Sequence, residues 1–109
     1  MNNLDPVIIS PNSNTELAEY YKIRFEELRE PWNQPIGSEK DSDDNECVHR
    51  MIKMGNDYIG VARLQYNTSL QTQIRYMAIK QKYQMKGFGK ILVIDLENIA
   101  KRNGASHHA

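Results

Sequence analysis

The sequence has little cysteine, no excess of either charge and no long apolar run. Its single cysteine, Cys47, cannot form an internal disulfide, which predicts a reducing, cytoplasmic environment. Basic and acidic residues both number 14, so no net positive field draws the chain to nucleic acid. No stretch is apolar enough to span a bilayer, and the first residues lack the pattern of a signal peptide. These absences argue against nucleic-acid-binding, membrane-spanning and disulfide-stapled proteins.

The first third of the chain predicts a strand followed by a helix. The 109 residues correspond to one domain, 1–109, with a core of modest size. Val7-Ile8-Ile9, between two prolines, predicts a short strand. Ser13 and Glu16 have the spacing of a capping box that opens a helix, and Pro31 is expected to end it. The apolar residues expected on the buried face of this helix are Leu17, Tyr21, Phe25 and Leu28.

Three strands are predicted in the middle of the chain. Residues 46–54 and 58–66 are rich in β-branched and aromatic side chains and flank Gly55-Asn56-Asp57, which predicts a hairpin. A second turn at residues 67–69 leads to a strand that ends at Ile79. With the final helix described next, the order is β-α-β-β-β-α, an α/β (α+β) arrangement.

The stretch from Gln84 to Lys90 carries the strongest chemical signal. It lies between the predicted strand and a helix, Lys90 to Arg102, whose apolar face holds Leu92, Leu96 and Ile99. Gly104 suits the C′ position just after this helix. Gly87 and Gly89 lack Cβ atoms, so backbone N–H groups can approach a ligand closely. The helix N-terminus adds unsatisfied donors and partial positive charge. The sequence therefore predicts a site for a phosphate-bearing cofactor.

Two familiar phosphate motifs do not fit this stretch. A dinucleotide fingerprint needs a small residue where Leu92 stands, and a P-loop needs Ser or Thr where Ile91 stands. What the spacing of Gln84, Gly87 and Gly89 resembles is the coenzyme A signature of the GNAT superfamily of N-acetyltransferases. That signature reads Gln/Arg-x-x-Gly-x-Gly/Ala between a strand and a helix. The alternative is that the two glycines only shape a strand-to-helix turn.

The resemblance implies a GNAT-like acyl-CoA acyltransferase fold, a mostly antiparallel sheet flanked by helices. It covers nearly all of this sequence but only the N-terminal part of the family domain, because complete members continue with further strands and a helix. That later helix often carries a tyrosine general acid. The last predicted strand would then be an open edge, which proteins normally pair or cover. We therefore expect a homodimer or a second polypeptide to complete the sheet, or a longer parent chain.

The resemblance also implies acetyl-CoA as the cofactor and assigns residues to it. Backbone groups of Met77, Ala78 and Ile79 would pair with the pantetheine arm, and one amide there could polarise the thioester carbonyl. Lys80, Lys82, Lys86 and Lys90 add charge for phosphates, with a solvated basic rim as the alternative for the first two. The backbone amides expected to hold the pyrophosphate are those of Gln84, Met85, Lys86, Gly87, Phe88, Gly89 and Lys90.

Acyl transfer to an amine needs a general base, because a free amine with a pKa of about 10 is mostly protonated at neutral pH. The strand before the signature offers no carboxylate, so the candidate bases are Asp44, Glu46 and His49, each with a structural role as the alternative. Cys47 is not assigned as a nucleophile, since the family needs no covalent intermediate. The resemblance places the acceptor pocket near the end of the first helix, and the candidate acceptor residues are Arg29, Trp32 and Gln34, with Arg24 nearby.

Two metal sites are considered and rejected. Counting from Asp41, a calcium loop would need Gly at Glu46 and Glu at Ile52, so the acidic run from Glu39 to Glu46 is expected to be a solvated loop. His107 and His108 are adjacent and would face opposite sides of a strand. No metal is predicted.

The sequence therefore favours an acetyl-CoA-dependent N-acetyltransferase that uses direct attack by a primary amine in a ternary complex. The alternative is a non-catalytic GNAT-like module that binds coenzyme A or a protein partner. A weaker third possibility is an interaction domain in which the glycine turn is purely structural. The identity of the acceptor amine is not predicted.

Overall fold

The computed structural model describes the backbone of residues 5–108 and the side chains of residues 5–105. It contains five strands and two α-helices. In chain order they are β1 (Val7–Ile9), α1 (Asn14–Leu28), β2 (Val48–Met54), β3 (Asp57–Tyr66), β4 (Gln71–Ile79), α2 (Phe88–Arg102) and β5 (Ser106–His108).

The strands form one sheet in the order β1-β2-β3-β4-β5. The first four strands pair in antiparallel fashion. Short turns join β2 to β3 and β3 to β4, whereas the chain passes through α1 between β1 and β2. β5 instead pairs parallel to β4, since the chain returns to the sheet through α2. The sequence did not predict β5, because three residues at the end of the described chain carry too little pattern.

The two helices cover opposite faces of the sheet. Leu92, Leu96 and Ala100 of α2 pack against one face, with Ile52 and Leu64 among their partners. On the other face, α1 contributes to a smaller core. Its buried members are Tyr20, Ile23, Met51, Val61 and Ala78. Alternation along β2 explains the division, because Met51 faces α1 whereas Ile52 faces α2.

The capping predictions are confirmed at both helices. The Ser13 hydroxyl accepts from the Glu16 amide, and the Glu16 carboxylate accepts from the Ser13 amide. This lowers the pKa of Glu16, because two backbone donors favour its charged form. Gly104 follows α2 with φ +77°, a conformation that glycine adopts at no steric cost.

The buried face of α1 was predicted wrongly: the observed face is shifted by about one residue along the sequence. Its fully buried residues are Tyr20, Ile23 and Arg24, whereas Leu17 is exposed. An arginine on the buried side hides the true face from a hydrophobicity pattern. The buried face of α2 was predicted more closely, with Ala100 fully buried beside a half-buried Ile99.

Candidate functional site: an anion cradle beside an open strand edge

The loop between β4 and α2 has a backbone conformation that favours glycine. β4 ends at Ile79, a short 3-10 turn follows at residues 81–83, and Gly87 then caps α2 with φ +89° and ψ 4°. A Cβ on Gly87 would meet no atom within 4 Å, so the requirement for glycine comes from the backbone conformation. Met85 also has a positive φ, 62°. The loop is therefore bent twice just before the helix begins.

This bend leaves a run of backbone donors free. The amide of Ile91 bonds to the Gly87 carbonyl and begins the helical ladder. The amides from Met85 to Lys90 have no hydrogen-bond acceptor within the described residues. Such consecutive N–H groups at a helix N-terminus form an anion-binding site. The amide of Gln84 differs from the prediction, because it donates to the Gln81 carbonyl at 3.2 Å.

The side chain of Gln84 ties the loop to the rest of the domain. Its Nε2 donates to the Ile79 carbonyl at 2.9 Å, at the end of β4. It also donates to Oε1 of Glu27 on α1 at 3.3 Å. A glutamine at the first position of the motif therefore joins the cradle to both neighbouring elements.

β4, the strand predicted to pair with the cofactor arm, has an unpaired edge at the residues where the arm is expected. β5 pairs only with residues Gln71 to Gln73 of β4. Among the described residues, no strand pairs with 74–79 on that side. The predicted open edge is thus shorter than the sequence implied. A Cβ on Gly89 would lie 3.7 Å from Cε of Met77, so the cradle and the open strand adjoin.

A β-bulge interrupts β4 beside Met77. Val61 pairs with Ala78 and Arg63 with Arg75, so Tyr76 and Met77 together oppose one residue of β3. Tyr76 has φ +53°, which is unusual for an aromatic residue. Bulges re-aim side chains and occur next to active sites.

The ring of Tyr76 contacts a buried network of charges. The guanidinium carbons of Arg24 and Arg63 lie 4.5 and 4.7 Å from its centroid. Both arginines are fully buried, and their Nη1 atoms each lie 3.0 Å from Oδ1 of Asp44. Nη1 of Arg63 also lies 2.7 Å from Asp41, which accepts from the Tyr76 hydroxyl. The two buried cations are therefore balanced by two carboxylates.

This network corrects the prediction of a solvated acidic loop. Asp44 and Glu39 are each only 8% exposed. Burial opposes ionisation of Asp44, but the Asp41 amide and the two arginines outweigh it and hold its pKa below the usual value. The two arginines that neutralise this loop are Arg24 of α1 and Arg63 of β3. Because both are distant from the loop in the sequence, no local pattern reveals the pairing. Asp43 and Glu46 do remain exposed.

The structure places the three candidate bases in different surroundings. Nε2 of His49 lies 2.7 Å from the Asp44 carbonyl and must donate to it, so Nδ1 accepts from the Tyr20 hydroxyl at 2.7 Å. Burial lowers the pKa of His49. Asp44 belongs to the buried network. Glu46 is exposed, on a short 3-10 turn at the far end of β3, where it lines a cavity with Gln65.

Of the predicted acceptor residues, Arg29 lies closest to the strand edge. It lines a cavity that also includes Met77. Trp32 is 73% exposed and Gln34 is exposed, and neither side chain contributes to that cavity. Cys47 is half-buried, and burial raises the pKa of its thiol, which agrees with its exclusion as a nucleophile.

Three residues at the site escaped sequence reasoning. Tyr76 lies in the bulge and Arg75 precedes it, and no glycine or proline in the sequence indicates a bulge there. Glu27 reaches the cradle from α1 only because the helix packs over β4. The described side chains contain no cluster of three metal-binding residues, and the described helices include none long and apolar enough to cross a bilayer.

Known structures share this architecture. A candidate N-acetyltransferase from Lactobacillus plantarum superposes with a TM-score of 0.78 and 22% identity, over 91% of this chain and 69% of that one. A GNAT family acetyltransferase from Elizabethkingia anophelis with acetyl-CoA bound gives 0.70 and 20%, over 92% and 60%. An aminoglycoside 6′-N-acetyltransferase complexed with coenzyme A gives 0.74 and 14%, over 91% and 57%. This chain therefore spans less than two thirds of the latter two.

These likenesses confirm the predicted fold, and the ligands in two of the structures agree with the predicted cofactor. The model of the acetyltransferase (GNAT) family matches residues 16–109, which include β2 to β4, the cradle and both helices except the first residues of α1. On that match, the chain belongs to the GNAT acetyltransferase family.

Proposed function

We propose that this domain binds acetyl-CoA and transfers its acetyl group to a primary amine by direct attack in a ternary complex. The observation that carries the proposal is the run of unpartnered amides from Met85 to Lys90 beside the open edge at residues 74–79. One feature binds phosphate and the other offers backbone groups to an extended ligand. A turn that was only structural would not need both.

The cradle residues fit the pyrophosphate of coenzyme A. The amides of Met85 to Lys90 would donate to it, and the exposed Lys86 and Lys90, which form no ion pair among the described residues, would add charge. Gln84 supports the loop through its side chain, because its amide is already engaged. Bound acetyl-CoA would supply an activated acyl group as a thioester.

The backbone of Met77, Ala78 and Ile79 would hold the pantetheine arm as an added strand. The β3 side of Ala78 and Ile79 is paired with Val61 and Gly60, so their place in the sheet is fixed while the other side stays open. A fixed amide here can donate to an oxygen on which negative charge develops, without reorganising during the reaction.

Proton removal from the amine remains assigned to the candidates Asp44, Glu46 and His49. We propose the three without ranking them, because both ring nitrogens of His49 are hydrogen-bonded, Asp44 pairs with two buried arginines and Glu46 lies at the far end of β3. The lowered pKa of His49 keeps its imidazole neutral at pH 7, but proton uptake at Nδ1 would require the Tyr20 hydroxyl to turn away. Replacement of the residue that acts as the base should lower the rate of acetyl transfer about 100-fold with unchanged acetyl-CoA affinity, and His49→Gln tests the imidazole. Glu46→Gln is the matched comparison at an exposed position.

We also propose that a second copy or another polypeptide extends the sheet at β5. The outer side of β5 has no partner strand among the described residues, and an addition there would leave residues 74–79 to the cofactor. Light scattering behind a sizing column tests this. A mass of one chain, with no partner retained, would contradict it.

Calorimetric titration with acetyl-CoA tests the central proposal. Saturable binding with a dissociation constant of about 1 μM, about −8 kcal/mol, is the expected result. Release of free thiol in the presence of a panel of amines then tests transfer. Binding without thiol release would favour the non-catalytic coenzyme A module, and absence of binding would contradict the assignment of the cradle.

A further inference from the structure

An open cavity of about 430 Å³ lies between the end of α1 and β4. Arg29 and Arg75 both line it, with Gln73, Tyr76 and Met77, and no carboxylate does. We infer that this cavity is the acceptor subsite and that the acceptor amine carries an anionic group, a carboxylate or a phosphate. This inference rests on the proposed function, because it names the substrate class of the same site.

The order of groups along β4 supports this assignment. The cradle contacts Met77 at Gly89, and the strand from Met77 to Ile79 is the proposed place of the cofactor arm. Arg75 precedes Met77 by two residues, across the bulge and on the side away from the cradle. An amine that reaches the end of the cofactor arm would therefore place its own substituents against Arg75 and Arg29.

Arg29 and Arg75 both lie close to the ring of Tyr76. The guanidinium carbon of Arg29 lies 5.4 Å from its ring centroid and that of Arg75 lies 5.5 Å away. The bulge produces this arrangement, because it places two consecutive residues of β4 opposite one of β3.

The charge of these two arginines is not neutralised within the described residues. Nε of Arg29 donates to the Ser38 carbonyl, its terminal nitrogens have no hydrogen-bond partner among the described residues, and Arg75 forms no ion pair with them. By contrast, the cations of Arg24 and Arg63 behind the ring are balanced by Asp41 and Asp44. The cavity is therefore net positive, and guanidinium groups bind carboxylate and phosphate through paired hydrogen bonds.

The test compares amines that carry a carboxylate or phosphate, called anionic amines here, with counterparts that lack it. Ethanolamine is compared with O-phosphoethanolamine, and β-alaninamide with β-alanine, by amide NMR titration of the whole chain. The variants are Arg29→Gln and Arg75→Gln. Arg102→Gln is the control, because Arg102 is exposed at the far end of α2 and its loss changes net charge equally.

We expect the anionic amines to shift the amides of residues 73–77 and their counterparts without an anionic group to bind more weakly. Arg29→Gln and Arg75→Gln should each weaken binding of the anionic amines about fivefold, as partly exposed charge pairs do. In the thiol-release assay the same variants should raise KM for anionic amines and leave kcat nearly unchanged. Arg102→Gln should change neither.

Three results would overturn the inference: equal binding of the anionic amines and their counterparts, shifts outside the cavity, or an equal loss in Arg102→Gln. Acetyl-CoA titration of the same samples separates this from the proposed function. Normal acetyl-CoA binding without charge discrimination refutes the anionic acceptor alone, whereas failure to bind acetyl-CoA refutes the proposed function itself.

Discussion

Replacement of Gly87 by valine should weaken acetyl-CoA binding about 100-fold or more while the domain stays folded. Gly87 has φ +89°, and a Cβ there would meet no atom within 4 Å. The space is free, so the cost comes from the backbone: about 1–2 kcal/mol for an L-residue in this region, and more for a β-branched one. The loop can relieve this strain only by changing φ at the helix N-cap.

Such a change would turn the free amides away from a common point. Hydrogen bonds to charged groups contribute about 1.5–3 kcal/mol each. Loss of only two of the donors between Met85 and Lys90 therefore costs about 3 kcal/mol or more, about a 100-fold increase in the dissociation constant of acetyl-CoA. Isothermal titration measures it directly, and thermal unfolding reports whether the domain is intact.

Gly104→Val is the matched control, since Gly104 has φ +77° and equally open surroundings. It follows the other end of α2, about 20 Å away along a 15-residue helix. The two variants should lose similar stability, and only Gly87→Val should lose acetyl-CoA affinity. A folded Gly87→Val protein that binds acetyl-CoA as tightly as the original would refute the cradle.

Three other predictions concern stability and titration. Gly60→Ala should destabilise the domain by about 1–3 kcal/mol in chemical denaturation, because the added Cβ would lie only 3.0 Å from the Ala78 carbonyl oxygen. An unchanged denaturation midpoint would show that the sheet can adjust. Asp44→Asn should cost about 3 kcal/mol or more, since two buried arginines lose a counter-charge. Because the pKa of Asp44 is lowered by folding, its contribution is present above about pH 4 and is lost as pH falls through the folded pKa; a variant with the original acid-unfolding profile would contradict this. NMR titration of His49 should give a pKa below 6.5. As pH drops from about 6.5, the unfolded chain takes up the proton first, so the stability of the folded domain falls. A midpoint at or above 6.5 would contradict the buried position of His49.

Sequence reasoning was most accurate where the signal is local. The capping box at Ser13, the glycine pair at Gly87 and Gly89 and the helix end at Gly104 depend on residues within a few positions of one another. Backbone chemistry at such sites is set by the residues themselves, so the element order β-α-β-β-β-α followed correctly up to α2. The same local signal predicted the cofactor loop and indicated the family, which the family model confirms.

The errors occur where distant elements meet. Because Arg24 is buried, the buried face of α1 differs from the face that its apolar residues predict. The partner of Arg24, Asp44, lies 20 residues away in the acidic run that we expected to be solvated. The bulge at Tyr76 and Met77 has no glycine or proline, yet it aligns the arginines of the proposed acceptor cavity. These contacts depend on β-sheet register and helix packing, which a one-dimensional pattern does not encode.

The sequence by itself determined that a glycine turn precedes a helix, because glycine spacing and helix polarity act over a few residues. Only the tertiary structure decided that this turn adjoins an open strand edge, and that Arg29 and Arg75 meet across Tyr76 beside it. Their meeting requires α1 to pack over a bulged β4, and that packing is a property of the whole sheet rather than of any segment.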